Sequence, residues 1–171
     1  MKNIFKGAGI SVIGILIGVY LLLISGALPV ATKGPPLPFE GWVTRQVLNA
    51  AQRDHTNAEP SISADEINLI AGAKTYLTNC AVCHGTPEQK ATAIAKGLFP
   101  QPPQFFEKDE GVSDDAVGKI FWFIKNGVRL TGMPGFVDTL SENEIWQLSL
   151  FLKNGEQLST AVRETLLKKS N

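Results

Sequence analysis

The sequence predicts a helical chain in two parts, one apolar helix followed by a domain of short amphipathic helices. Three observations carry that expectation. An uncharged apolar run fills Ile10 to Leu28. Two S-x-x-E boxes, Ser63 to Glu66 and Ser141 to Glu144, each open a stretch with apolar residues at helical spacing. Asn-Gly pairs then close two such stretches, at Asn126-Gly127 and Asn154-Gly155.

The first part, residues 1–32, reads as a membrane anchor. ISVIGILIGVYLLLISGAL approaches the ~20 apolar residues that a helix needs to cross a hydrocarbon core, and Tyr20 and the glycines are tolerated there. Lys2 and Lys6 precede the run and only Lys33 closely follows it, which keeps the N-terminus cytoplasmic and sends the rest outward. In a bacterium that places the domain on the periplasmic or outer face of the inner membrane. The alternative is a cleaved secretory signal with Ser25-Gly26-Ala27 at its processing site, but the run exceeds the usual apolar core of about 7–15 residues.

Residues 33–62 form a linker. KGPPLPFEG, Lys33 to Gly41, is an extended, semi-rigid spacer. Trp42 to His55 then offers a short helix with Val43, Val47, Ala50 and Ala51 on one side. That helix can pack on the domain, lie in the membrane surface or meet a partner.

The domain proper is expected over 63–156. Its first helix starts at the Ser63 box, runs to about Asn79 and gathers Leu69, Ile70, Ala73, Tyr76 and Leu77 on one face. The prolines of GLFPQPPQF, Gly97 to Phe105, exclude a helix there. Ser113-Asp114-Asp115 reads as an N-cap for a helix burying Val117, Ile120, Phe121 and Ile124. The second box opens a helix through about Lys153 with Ile145, Leu148 and Leu152, and Trp146 beside them. In the tail, 157–171, Leu158, Val162 and Leu166 suggest a last amphipathic turn or two, with Lys168 and Lys169 suited to its C-terminus.

Charge narrows the function. The whole chain is formally neutral, and without Lys2 and Lys6 the remainder has 14 basic against 16 acidic residues. Nucleic-acid binding, which rewards basic patches, is not expected. The acidic run Glu107 to Glu110, with Asp114 and Asp115, reads as a solvated loop and cap, or as a docking patch for a basic partner.

The chemistry concentrates in CAVCHG, Cys80 to Gly85, which holds both cysteines and one of the two histidines. C-x-x-C-H is the attachment signature of c-type haem. Three residues apart on a helical turn, Cys80 and Cys83 point to one side and can form thioethers with the two vinyl groups. His84 follows as proximal ligand. A dithiol, half a zinc site or a disulfide would also use C-x-x-C. Zinc lacks further ligands, since His55 is the only other histidine, and a dithiol does not need His84. Downstream, RLTGMPGF from Arg129 to Phe136 presents Met133, the only methionine beyond the initiator, in a Gly/Pro-bounded loop. Its thioether is the candidate sixth ligand. His55 competes for that position, but lies in the polar string QRDHTN.

With CAVCHG and TGMPGF in place, the chain resembles the class I cytochromes c, in particular small membrane-anchored monohaem bacterial members, over roughly Ser63 to Gly155. The resemblance implies an all-α domain in which N- and C-terminal helices cross. Gly72 and Tyr76 match the family's glycine–aromatic pair, and Trp146 matches the aromatic of the last helix. Pro103-Gln104-Phe105 looks like the proline-led triplet whose carbonyl accepts a hydrogen bond from the proximal histidine and whose third residue packs on the haem. The implied cofactor is one haem c held by two thioethers, with His84 and Met133 as iron ligands.

The function so implied is one-electron transfer between redox partner proteins. With Cys80, Cys83, His84 and Met133 occupying every position, no small-molecule substrate and no enzyme activity of its own are expected. Two rivals remain: a fixed electron-transfer subunit of a larger membrane oxidoreductase, and a haem-based sensor, which needs an open sixth position.

Overall fold

The computed structural model describes residues 2–89 and 91–167, without the side chains of residues 2–6 and 8. Helix α1 spans Lys2–Ile24, and α2 spans Glu40–Gln52, continued by a 3₁₀ turn over Arg53–His55. Then follow α3 (Glu66–Asn79), α4 (Ala81–His84), α5 (Ala93–Gly97), α6 (Val117–Asn126), α7 (Glu142–Lys153) and α8 (Thr160–Leu167). No strand occurs among the described residues. The chain divides into two compact units, Met1–Pro38 and Phe39–Asn171.

In the first unit, the large apolar side chains of α1 from Ile10 to Ile24 are exposed. Among the described residues, no helix is long and apolar enough to cross a membrane. The expected transmembrane span is therefore not supported by them. The side chains of Lys2 and Lys6, on which the expected topology rests, lie outside the described residues.

The second unit is built on the crossing of α3 and α7. Helix α3 is capped by Asp65, whose carboxylate accepts from Asn68 N at 2.9 Å, while Ser63 Oγ donates to Asp65 Oδ2. The expected Ser63 box thus shifts by two residues: aspartate is the stronger local acceptor, and Ser63 supports it. At α7 the box forms as read. Ser141 Oγ accepts from Glu144 N, and the Glu144 carboxylate accepts from Ser141 N. The crossing is tight at Gly72, where a Cβ would lie 2.2 Å from Gln147 O and 2.8 Å from Phe151 Cβ. Only a residue without a side chain lets the backbones approach this closely.

Around that crossing, Ala73, Tyr76, Ile145, Leu148 and Phe151 are essentially inaccessible. Helix α6 adds Ile120, Phe121 and Ile124, and α8 adds Val162 and Leu166, with Leu158 just before it. The tail therefore packs rather than frays, up to Leu167; Lys168 and Lys169 lie outside the described residues. The aromatic partner of the Gly72–Tyr76 face is Phe151, its ring centroid 5.4 Å from that of Tyr76, whereas Trp146 stacks on Phe121 at 3.9 Å. Helix α6 begins later than expected. Its N-cap is Ala116, while Ser113 donates to Glu156 and Asp115 pairs with Lys119.

Helix α2 belongs to the second unit, but its expected apolar stripe is not what it buries. Val43 and Val47 are exposed, and the buried residue is Gln52. The chain after α2 sets this orientation. His55 O and Ala58 N fit against Gly118, where a Cβ would lie 2.5 Å and 2.8 Å from them. That contact fixes the helix by its C-terminal end.

Candidate functional site

Cys80 is at once the C-cap of α3 and the N-cap of α4, so the turn follows α3 directly. Cys80 N donates to Tyr76 O, and both Cys83 N and His84 N donate to Cys80 O. This tight turn carries both thiols, free and half-buried, on one short helix. Burial, helped by the neighbouring Cys83, pushes the Cys80 thiol up to about 12.

The turn ends at Gly85, with φ +74°, where a Cβ would meet Gln104 Oε1 at 2.9 Å and Gln89 O at 3.0 Å. Tyr76 Oη donates to Gly85 O at 2.7 Å from inside the core. Burial, and to a lesser degree Cys80, pushes that phenol far above its ordinary range. It stays a neutral donor that ties α3 to the end of α4.

His84 is held from three sides. Its Nδ1 donates to Pro103 O at 2.8 Å, and its own carbonyl accepts from Phe105 N at 3.2 Å. Phe105 stacks on the imidazole with centroids 4.2 Å apart and planes 7° from parallel. A carbonyl only accepts, so Nδ1 carries the proton and Nε2 keeps its lone pair. Burial lowers the pKa of this ring and the bond to Pro103 opposes that shift. The neutral, ligating form is favoured.

Two residues not assigned roles from sequence complete the clamp. Gln104 Nε2 donates to Cys83 O at 2.9 Å and to Pro102 O at 3.0 Å, stapling the proline loop to the cysteine turn. Thr92 Oγ1 donates to Val82 O at 2.6 Å while accepting from Ala95 N, so the cap of α5 also pins α4. Neither glutamine nor threonine carries a local signal for such a contact.

Met133 lies half-buried in a loop folded back on the end of α6. Val128 N donates to Met133 O, Met133 N to Thr131 Oγ1, and Phe136 N to Ile124 O. Gly127, with φ +65°, and Gly135 allow the return: a Cβ on Gly127 would meet Gly135 N at 2.4 Å, and one on Gly135 would meet Asn126 O at 2.7 Å. Leu98 packs on Gly132, with its Cδ2 2.6 Å from where a Cβ would stand. The proline loop thus touches the Met133 loop at one end and His84 at the other. His55 lies elsewhere, its ring stacked near Trp122 of α6.

Two thiols three residues apart, followed by an imidazole with an uncommitted Nε2, are compatible with covalent haem attachment. Residues 67–152, half of the chain, match the family model described as cytochrome c oxidase, cbb3-type, subunit III. The chain belongs to that family. No curated protein sequence matches it. The cbb3 subunit III family is a membrane-associated group whose c-type cytochrome domain implies haem c, redox partner proteins and electron transfer. The matched segment begins inside α3 and ends near the close of α7, so it takes in the helix crossing, both cysteines, His84 and Met133.

Proposed function

We propose that this chain is a membrane-tethered monohaem c-type cytochrome that carries single electrons on the periplasmic side of a bacterial inner membrane. The observation that carries the reading is His84: its Nδ1–H is committed to Pro103 O, next to two free thiols. In this reading Cys80 and Cys83 hold haem c through thioethers, and His84 and Met133 are the axial ligands. When bound, the haem supplies one-electron redox chemistry. The chain's own part is positional. Pro103 fixes the tautomer and orientation of the imidazole, Phe105 stacks on it, and the Gly127 and Gly135 contacts hold the Met133 loop.

The proposed division of labour is an anchor over 1–32, a linker with a short helix over 33–62, a haem domain over 63–156 and a helical tail over 157–171. Support for the anchor comes from the charge-free Ile10–Leu28 run and the exposed apolar side chains of α1. With both axial positions filled by side chains, the protein has no substrate site and is not an enzyme by itself.

The family's description favours a second reading, a fixed electron-transfer subunit of a larger oxidase complex. Affinity purification from detergent-solubilised membranes separates the two: co-purifying oxidase subunits favour the complex, and isolation alone favours the carrier. Optical spectra of the same membranes test the site. Sharp low-spin c-type bands on reduction, with a weak far-red band in the oxidised state from iron–thioether bonding, are expected. Rapid carbon monoxide binding by the native reduced protein would instead indicate an open sixth position and a sensing role.

A further inference from the structure

We propose that Glu110 is a positioning residue that tunes the His84 imidazole through the Pro103–Gln104 peptide. That single amide is hydrogen-bonded at both ends. Its carbonyl, Pro103 O, accepts from His84 Nδ1 at 2.8 Å, and its N–H, on Gln104, donates to Glu110 Oε2 at 2.7 Å. The two bonds are therefore linked through the partial double bond of one peptide group.

The physical consequence has a definite sign. A carboxylate accepting from the amide N–H makes a short, charge-assisted bond. It draws the amide towards its dipolar form and adds electron density to the carbonyl oxygen. Hydrogen bonds in a chain polarise one another by roughly 10–30% per bond. Pro103 O becomes a stronger acceptor for Nδ1–H, and Nε2 a stronger electron donor. Histidine ligands are made more basic in the same way when they donate directly to a carboxylate; here a peptide is interposed.

The loop is folded so that Glu110 can reach back. Glu107 N donates to Gln104 O at 2.9 Å, and Glu110 N to Glu107 O at 3.3 Å, two successive turns that return residue 110 to the amide of residue 104. Gln104 is in turn stapled to Cys83 through its side chain. The relay is thus tied to the attachment turn at a second point.

The inference rests on His84 as the proximal ligand. Its test uses the full-length protein, matured with haem, as wild type, Glu110→Gln and Glu107→Gln. Glu107 is a likewise exposed glutamate of the same loop whose side chain makes no bond to this amide, so it controls for through-space charge. The expected result is a rise in midpoint potential for Glu110→Gln, within a tenfold change of the equilibrium constant, or about 59 mV for one electron. The hyperfine-shifted NMR resonance of the His84 Nδ1 proton should move with it, and Glu107→Gln should change neither. Equal shifts in both variants, or no shift in Glu110→Gln, would overturn the relay while an intact c-type spectrum left the His84 assignment standing. Should Glu110→Gln fail to mature, hydrogen exchange of the Gln104 amide in the wild type decides: slow exchange supports the relay, and exchange at the rate of a free loop amide refutes it. A wild type without covalent haem would remove both readings.

Discussion

Met133 owes its place to neighbours that have no chemistry of their own. Gly127 and Gly135 let the loop lie against the end of α6, and Thr131 and Val128 hold its backbone. The proposed role of the thioether is to favour ferrous iron and raise the potential. In Met133→Ala the midpoint potential should fall by on the order of 100 mV, given that axial ligands span roughly 0.8 V among haem proteins. The reduced variant should also bind carbon monoxide. Potentiometric titration and carbon monoxide difference spectra check both, and an unchanged potential would remove Met133 as a ligand. At this same scale the chain was unevenly legible. CAVCHG names its chemistry by spacing alone, but nothing local in Gln104, Thr92 or Glu110 announces their bonds to Cys83, Val82 and the Gln104 amide. Those partners lie from 6 to 21 residues away in sequence, and the connections exist only once the loops have closed.

Between elements, the α3–α7 crossing depends on Gly72. Alanine there would gain up to about 1 kcal/mol of helix propensity, yet its Cβ would stand 2.2 Å from the Gln147 carbonyl oxygen. Backbone cannot yield as a flexible side chain does, so the overpacking cost of about 1–3 kcal/mol or more decides the sign. Chemical denaturation of Gly72→Ala should show a lower midpoint with loss of stability in that range. The caps predict behaviour in acid. The hydrogen bond from Ser63, then that from Asn68 N, lowers the pKa of Asp65, and the Ser141 side chain and backbone lower that of Glu144. Both carboxylates bind protons less readily when folded, so their stabilisation is complete above their ordinary values of 3.8 and 4.5 and is lost as pH falls through the depressed folded values. Thermal melts of Asp65→Asn and Glu144→Gln should lie below wild type near neutrality and converge on it at the acid extreme. The helix ends at Asn79, Asn126 and Lys153 follow from local signals, and so agree with the sequence. The starts of α3 and α6 do not, because several polar residues compete for each cap: short-range bonds to Asn68 and Lys119 engage Asp65 and Asp115, and the distant Glu156 draws Ser113 away.

For the whole molecule, the division at Pro38 separates the apolar helix from the domain that carries every candidate ligand. If α1 is the proposed anchor, a chain beginning at residue 33 and exported with a cleavable signal should mature with haem and leave the membrane fraction. Fractionation followed by haem staining reads this directly. Haem protein still bound to membranes after mild salt washing would point to α2 or a partner complex as the attachment. Composition and periodicity determined the helical class, the apolar N-terminal helix and the packing face of the tail, and short motifs named the expected attachment turn and the candidate sixth ligand, because each pattern is written in residues within a few positions of one another. Tertiary structure alone decided that α2 turns Val43 and Val47 outward, that Phe151 rather than Trp146 meets Tyr76 across the crossing, and that one peptide joins Glu110 to His84. In each case the deciding contact lies between segments distant in sequence, and close packing, not local preference, sets the geometry.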